Sequence, residues 1–454
     1  MYMVAALTSI IKNADILYGS ELQIIRNGII IVNTQGIIER AGKSLDVEDT
    51  AYYSKIVKDK NTKIIDAKGY LIIPGLINSH THIGDSIGKD ISSNADLNTR
   101  VHPNHSIKKT ILEKTPPHQL KQLIRNAALS MLSKGITTFV DFREGGLNGI
   151  NILQTALKDI PIKYIILGRI VFDYFYHNLD QKKAAATKIN VFQNYTTKGN
   201  ELFEKEILKS GKELLDSCNG FGISGANEND DKMLRIYKEI IKENCGQSTF
   251  NKKEKPIVAI HAAESVESVK ESLKNTGKTE IERTVFTLEP DVFVHVTNPT
   301  SSDLNLLHST RKCIVVCPRA NGILGVGIVP LKQLVDRGFT ISIGTDNIML
   351  NSPDLFKEMD FLLKSQRAYE KNISFLDAKM VLKMATVNGG KIFNRNIGCI
   401  DSGFHADLLF IDEYDIDVYP MHDPYMSVVH RCSERTIKAM MIDGKFVHDK
   451  ILLN

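Results

Sequence analysis

The stretch "LIIPGLINSHTHIGD", Leu71 to Asp85, ends an apolar run on His80-Thr81-His82. In a strand, residues i and i+2 project from one face. Two imidazoles side by side are costly to bury without a purpose and well placed to grip a metal. Further along, "VAIHAAES" carries His261 and, three residues on, Glu264. "VFVHVT" carries His295 and "SIGTDN" carries Asp346. Nitrogens from His80, His82 and His261 with an oxygen from Asp346 suit one divalent ion, zinc first and ferrous iron second. A position left for water would let the ion lower that water's pKa for attack on a substrate. Asp346 is then placed to accept the water's proton. Glu264 would carry a proton to a ring nitrogen or leaving group, and His295 would hold the water or polarise the departing group.

For these residues to meet, several strand ends must converge. The middle of the chain, 69–397, alternates apolar strand candidates with amphipathic stretches. The strands are "LIIPGLINSHTH", then 135–142, 162–170, 220–226, 256–264, 291–297, 312–318 and 339–347. Helical patterns such as "HQLKQLIRNAALSMLSKG" and "DKMLRIYKEIIKENC" lie between them. Eight strand–helix units predict an α/β fold, a (β/α)8 TIM barrel, with its chemistry at the C-terminal strand ends. Every expected strand end is polar: His80 and His82, Asp141 and Arg143, Arg169, Asn227 and Glu228, His261 and Glu264, His295, Arg319, Asp346 and Asn347. Arg143, Arg169 and Arg319 would form a cationic collar, since arginine grips carboxylate or phosphate bidentately. The expected partner is therefore a small molecule with an anionic group away from its reacting carbon. Asn227 and Glu228 hold positions for substrate contact.

Residues 1–68 read as short strands punctuated by Asn-Gly, Gln-Gly and Lys-Gly, and 398–454 has the same texture. The expectation is a discontinuous β-sandwich built from both ends, flanking the barrel, with Pro74-Gly75 as the bend between them. The 454 residues carry 57 Lys and Arg against 53 Asp and Glu, and no basic block argues for nucleic acid. No apolar run nears the ~18 residues of a membrane helix. The N-terminus lacks a signal-peptide pattern. Six scattered cysteines read as reduced thiols in the cytoplasm, with Cys313 and Cys317 as core packing. A homodimer is the base-rate expectation.

"PGLINSHTH", "IHAAES", "VHVT", "SIGTDN", the helix "MATVNGGKIF" and the tail "GCIDSGFHADLLFID" together resemble the amidohydrolase superfamily, in its branch of aminohydrolases and triazine-type hydrolases. The resemblance covers almost the whole chain. It implies that His80, His82, His261 and Asp346 occupy that family's metal-ligand positions, Glu264 its proton-transfer glutamate and His295 its strand-six histidine. Many amidohydrolases hold two metals through a carbamylated lysine on strand four. "GFGISGANEND" has no lysine there, which implies one metal and deamination of an amine-bearing ring. The chain has no Trp in its 84–117 loop, and strand seven ends in "CPRAN", so its substrate contacts should be its own.

The expected activity is deamination of an amino-substituted N-heterocycle, a purine, pyrimidine or related base or nucleoside, by attack of metal-bound hydroxide. The alternative within hydrolases is cleavage of a cyclic amide, a formimino group or a C–Cl bond by the same site. A catalytically silent barrel is the rival from another class, and a complete ligand set argues against it.

Overall fold

Two sheets take up the strands, and the chain crosses between them at Pro74-Gly75. The structure is a computed structural model that describes residues 8–91, 93–102, 106–171, 199–244 and 255–449. His105 and Cys245 lie outside the described residues. The first sheet runs in the order Lys445–Asp449, Ile437–Ile442, Leu408–Asp412, Tyr70–Pro74, Thr8–Tyr18, Gln23–Val32, Ile38–Lys43, with Thr62–Asp66 also paired to Thr8–Tyr18. The antiparallel pairing of Tyr70–Pro74 with Leu408–Asp412 joins the two ends of the chain. This sheet thus reaches past residue 68, to Pro74. Two short helices, Ser44–Glu48 and Ala51–Ile56, interrupt a segment whose texture predicted only strands. The last hairpin turns on Asp443-Gly444, both with positive φ, the conformation a tight two-residue turn requires.

The second sheet is parallel. Its strands are one (Leu76–His82), two (Ile136–Arg143), three (Lys163–Gly168), four (Gly220–Ile223), five (Ile257–Ala262), six (Val292–His295) and seven (Cys313–Val316), each beside the next. Strand eight comes in two pieces. Ile341–Ile343 pairs with strand seven, and Asp346–Asn347 pairs with strand one. Between them Gly344 N–H donates to Val316 O at 2.9 Å and Thr345 N–H donates to His80 O at 3.0 Å. The sheet therefore curls until strand eight touches both its neighbours. Gly344 is what permits the approach, because a Cβ there would lie 2.6 Å from the Cβ of His80.

Alternation sorts each strand's residues. Val140 and Phe142 of strand two cluster with Ile165, Leu167, Val292, Val294 and Val315 on the inner face, and Cys317 packs with them. Phe139, Ile166 and Phe293 point the other way, into the layer of helices. Those helices follow their apolar stripes. Pro117–Ser133 starts on a proline at its first turn and buries Leu120, Ile124, Ala127, Ala128 and Met131. Asp231–Asn244 buries Met233, Tyr237, Ile240 and Ile241 on one face. Each fully buried Leu or Ile contributes ~1.5–3 kcal/mol. Among the described residues no helix is long and apolar enough to cross a membrane.

Candidate metal centre

His80 and His82 leave strand one on the same face, as the two-residue spacing predicts, and their rings stand 5.0 Å apart. Strand five brings His261 and strand eight brings Asp346 to the same point. His261 Nε2 lies 3.2 Å from His80 Nε2 and 3.4 Å from His82 Nε2. Asp346 Oδ1 lies 3.2 Å from His80 Nε2 and 3.7 Å from His82 Nε2. His80 is fully buried and its ring is fixed edge-on to Phe142 at 4.3 Å.

The other ring nitrogens settle which way the lone pairs face. His261 Nδ1 sits 3.0 Å from the carbonyl of Ile223, which can only accept, so Nδ1 carries the hydrogen. His82 Nδ1 donates to Glu144 Oε1 at 2.8 Å. His261, held neutral by burial, therefore turns its Nε2 lone pair toward the centre, where His82 Nε2 and the Asp346 carboxylate also converge. Burial pushes the His80 imidazole down to about 3, although Asp346 pulls the other way. Burial, joined by the neighbouring imidazoles, holds His261 well below its ordinary value. Burial alone would raise the Asp346 carboxyl, but the His80 hydrogen bond and the surrounding imidazoles win and lower it. Imidazole nitrogens and an ionised carboxylate converging in a dry site are the donor set a divalent cation takes. Their ligand atoms all lie within 4.8 Å of one another.

Glu264 and His295 face this centre from strands five and six, with His295 Nε2 3.7 Å from Glu264 Oε1. Asn321 spends its amide nitrogen on Thr297 Oγ1, so its Oδ1 accepts from His295 Nδ1 at 3.0 Å. The turn bearing Glu264 is tied down at Ala263, whose φ is 51°. Ala263 N–H donates to Glu280 Oε2 at 3.1 Å, and Asn298 Nδ2 donates to Glu264 O at 2.8 Å. Burial raises the Glu264 carboxyl above its usual range.

A cavity of about 480 Å³ opens over the centre. His82, His261, Glu264, His295 and Asp346 line its floor, while Arg143, Arg169 and Glu228 lie in its walls. Arg143 is buried, with Nη1 3.6 Å from Asp141 Oδ2. The Arg169 guanidinium makes no hydrogen bond or ion pair with the described residues. Glu228 leans over Gly225, and burial pushes its carboxyl up to about 7. Arg319 and Asn227 are not among the lining residues. Arg319 is turned to Ser352 O at 3.2 Å, Asn351 Oδ1 at 3.2 Å and Glu358 Oε1 at 3.5 Å. Asn227 donates to Ser268 O at 2.8 Å and so fixes a helix start. The three arginines thus do not form one collar.

Three contributors, Glu144, Asn321 and Lys108, escaped the sequence. Glu144 holds His82, Asn321 holds His295, and Lys108 and Asp85 stand behind Glu144. Glu144 follows Arg143 and Asn321 lies two beyond Arg319, so the polar strand ends that carry the arginines are also the signal for these two residues.

With this geometry in view, the comparisons with known proteins are specific. The sequence profile of the Amidohydrolase family matches residues 71–447. The chain is 33% identical over 440 residues, 96% of this chain and 98% of the relative, to a protein of Methanothermobacter thermautotrophicus provisionally named an aminohydrolase. It is 25% identical over 446 residues, 96% of this chain and 94% of the relative, to a 5-methylthioadenosine/S-adenosylhomocysteine deaminase of Pyrococcus furiosus. Among solved structures, an adenosine deaminase from Xanthomonas campestris with bound zinc shares the fold with a TM-score of 0.78 at 18% identity, over 98% of this chain and 94% of that one. An atrazine chlorohydrolase from Arthrobacter aurescens does so with a TM-score of 0.76 at 16% identity, over 98% and 96%.

Proposed function

The chain belongs to the amidohydrolase family, and from that premise we propose that it deaminates an amino-substituted N-heterocycle, a purine or pyrimidine base or nucleoside. The observation that carries this is the convergence of His80, His82, His261 and Asp346 beneath a cavity that Glu264 and His295 also face. We read the curled sheet as a closed (β/α)8 barrel, supported by strand eight bonding to both neighbours. We further read the terminal strands as a second, discontinuous domain.

His80, His82, His261 and Asp346 would hold one divalent ion, and three nitrogens with one oxygen favour zinc. Zinc in the adenosine deaminase of the same fold supports that choice. When bound, the ion supplies Lewis acidity and a water acidic near neutral pH. Asp346, ionised, accepts a proton from the attacking water. Glu264, whose raised pKa keeps it able to carry a proton, delivers one to the ring nitrogen beside the amine-bearing carbon. His295, fixed by Asn321, steadies the oxygen at that carbon. The cavity's walls would orient the ring. Arg169, in the cavity wall with no hydrogen bond to a described residue, is positioned to take an anionic end of the substrate.

The test is a panel of aminated purines, pyrimidines and their nucleosides, with a cyclic amide and a chlorinated triazine, offered to zinc-loaded protein. Ammonia release from an aminated ring is the expected result. Turnover of only the amide or the chloride would overturn deamination while leaving the metal site standing.

A further inference from the structure

The most unusual group near the centre is a buried lysine. Lys108 lies in the first turn of the helix Ile107–Lys114 and is 6% exposed. Its Nζ stands 2.6 Å from Glu144 Oε1 and 3.4 Å from Asp85 Oδ2. Glu144 Oε1 is the same oxygen that accepts from His82 Nδ1. Asp85 in turn accepts from Asn347 Nδ2 at 2.6 Å and from Met349 N–H at 3.0 Å, both at the end of strand eight beside Asp346. The helix that carries Lys108 also supplies Lys109, Leu112 and Glu113 to the cavity wall.

We propose that Lys108 is a positioning residue that latches the substrate-cavity wall to the metal centre, its ammonium bridging the carboxylate behind His82 and the carboxylate that anchors strand eight. The inference rests on the proposed metal site. Stability gives no reason to keep such a pair, because buried ion pairs rarely stabilise more than apolar packing of the same shape. Its geometry gives one. An acceptor behind a ligating imidazole fixes the ring's tautomer and orientation, and a cation on that acceptor fixes the acceptor. Among the described residues no other lysine or arginine lies within ion-pair distance of Glu144. Without Lys108, Glu144 and Asp85 face each other with no ammonium between them. The helix then loses its polar tether to both strand ends.

The experiment is a double-mutant cycle with Lys108→Met and Glu144→Gln, read first as zinc affinity by chelator competition and then as kcat and KM. Lys108→Met is expected to weaken zinc binding by about 10- to 100-fold, the range for partners of metal-binding histidines. Its kcat should fall more than its KM rises. Lys108→Met added to Glu144→Gln should weaken zinc little further, because both act through one oxygen. A structural role in packing the helix would leave zinc affinity alone, or would add in full to Glu144→Gln. Either result overturns the proposal. Should Lys108→Met not fold, Lys108→Gln, which removes the ammonium and shortens the chain by one bond, replaces it under the same criteria. Wild-type protein is titrated with zinc first. Failure of wild type to bind refutes the metal site itself, whereas normal binding with an indifferent Lys108→Met refutes only the latch.

Discussion

Glu280 offers a sharp test of how the Glu264 turn is held. It opens the helix Glu280–Thr287 and is 5% exposed. Its Oε2 accepts from Ala263 N–H at 3.1 Å and from Ser268 Oγ at 2.8 Å. Burial, with Glu228 and Glu264 nearby, pushes its carboxyl from 4.5 up to about 8. At pH 7 the folded protein therefore keeps a proton that the unfolded chain releases. Stability from this group is full below the unfolded value and is lost as pH rises through the folded one. Between 4.5 and pH 7 the loss amounts to about 3 kcal/mol, at 1.36 kcal/mol per unit. Glu280→Gln has the shape and donor pattern of the protonated acid but cannot ionise. It should match wild type near pH 4.5 and exceed it by up to ~3 kcal/mol at pH 7. The assay is the urea midpoint of both proteins from pH 4.5 to 8, taken as a difference so that any pH dependence they share cancels. A difference that stays constant with pH would refute the reasoning. Turnover of Glu280→Gln should stay within about threefold of wild type. Glu280→Leu strands the Ala263 N–H, at a cost of about 1–3 kcal/mol, and frees the turn that aims Glu264. It should lose tenfold or more in kcat.

His80→Ala and Asp346→Ala should each lose bound metal and turnover together, measured as metal per chain and as ammonia released. A variant stripped of metal that kept full activity would sink the mechanism. Glu264→Gln should keep its metal and lose about 10²- to 10⁴-fold in kcat, the usual worth of a general acid–base group; unchanged kcat would remove Glu264 from proton transfer. Arg169→Ala should raise KM for an anionic substrate. Arg319→Ala should leave KM alone and cost about 1 kcal/mol for each hydrogen bond lost, those to Ser352 and Asn351 being the candidates. A KM effect at Arg319 would contradict its placement outside the cavity.

The features legible in the sequence were those that a period or a strand end encodes. His80 and His82 share a face because strands repeat every two residues, and Val140 with Phe142 turns inward for the same reason. The parallel strands announced themselves as short β-branched runs between amphipathic helices. What remained hidden depends on which strand ends turn toward one another. Arg143, Arg169 and Arg319 are alike in sequence, each closing a strand. Only the fold reveals that Asp141 engages the first, that the second faces the cavity, and that Glu358 draws the third away.

Lys108 shows why burial is the least readable property of all. A lysine in the first turn of a helix, in a loop rich in polar residues, reads as solvated. Its partners are Asp85 and Glu144, 23 and 36 residues away along the chain, and no periodicity links them. The lysine can be buried only because two carboxylates wait for it, and those carboxylates are themselves buried only because they secure His82 and strand eight. Burial of a charge is thus a property of the assembled set. The signal that could have exposed it is the charge count at strand ends: Asp85, Asp141 and Glu144 are three acids near one mouth, with Arg143 the one cation among those strand ends. An acidic excess in a dry site demands another cation, and the long loop after strand one was the nearest segment able to deliver it.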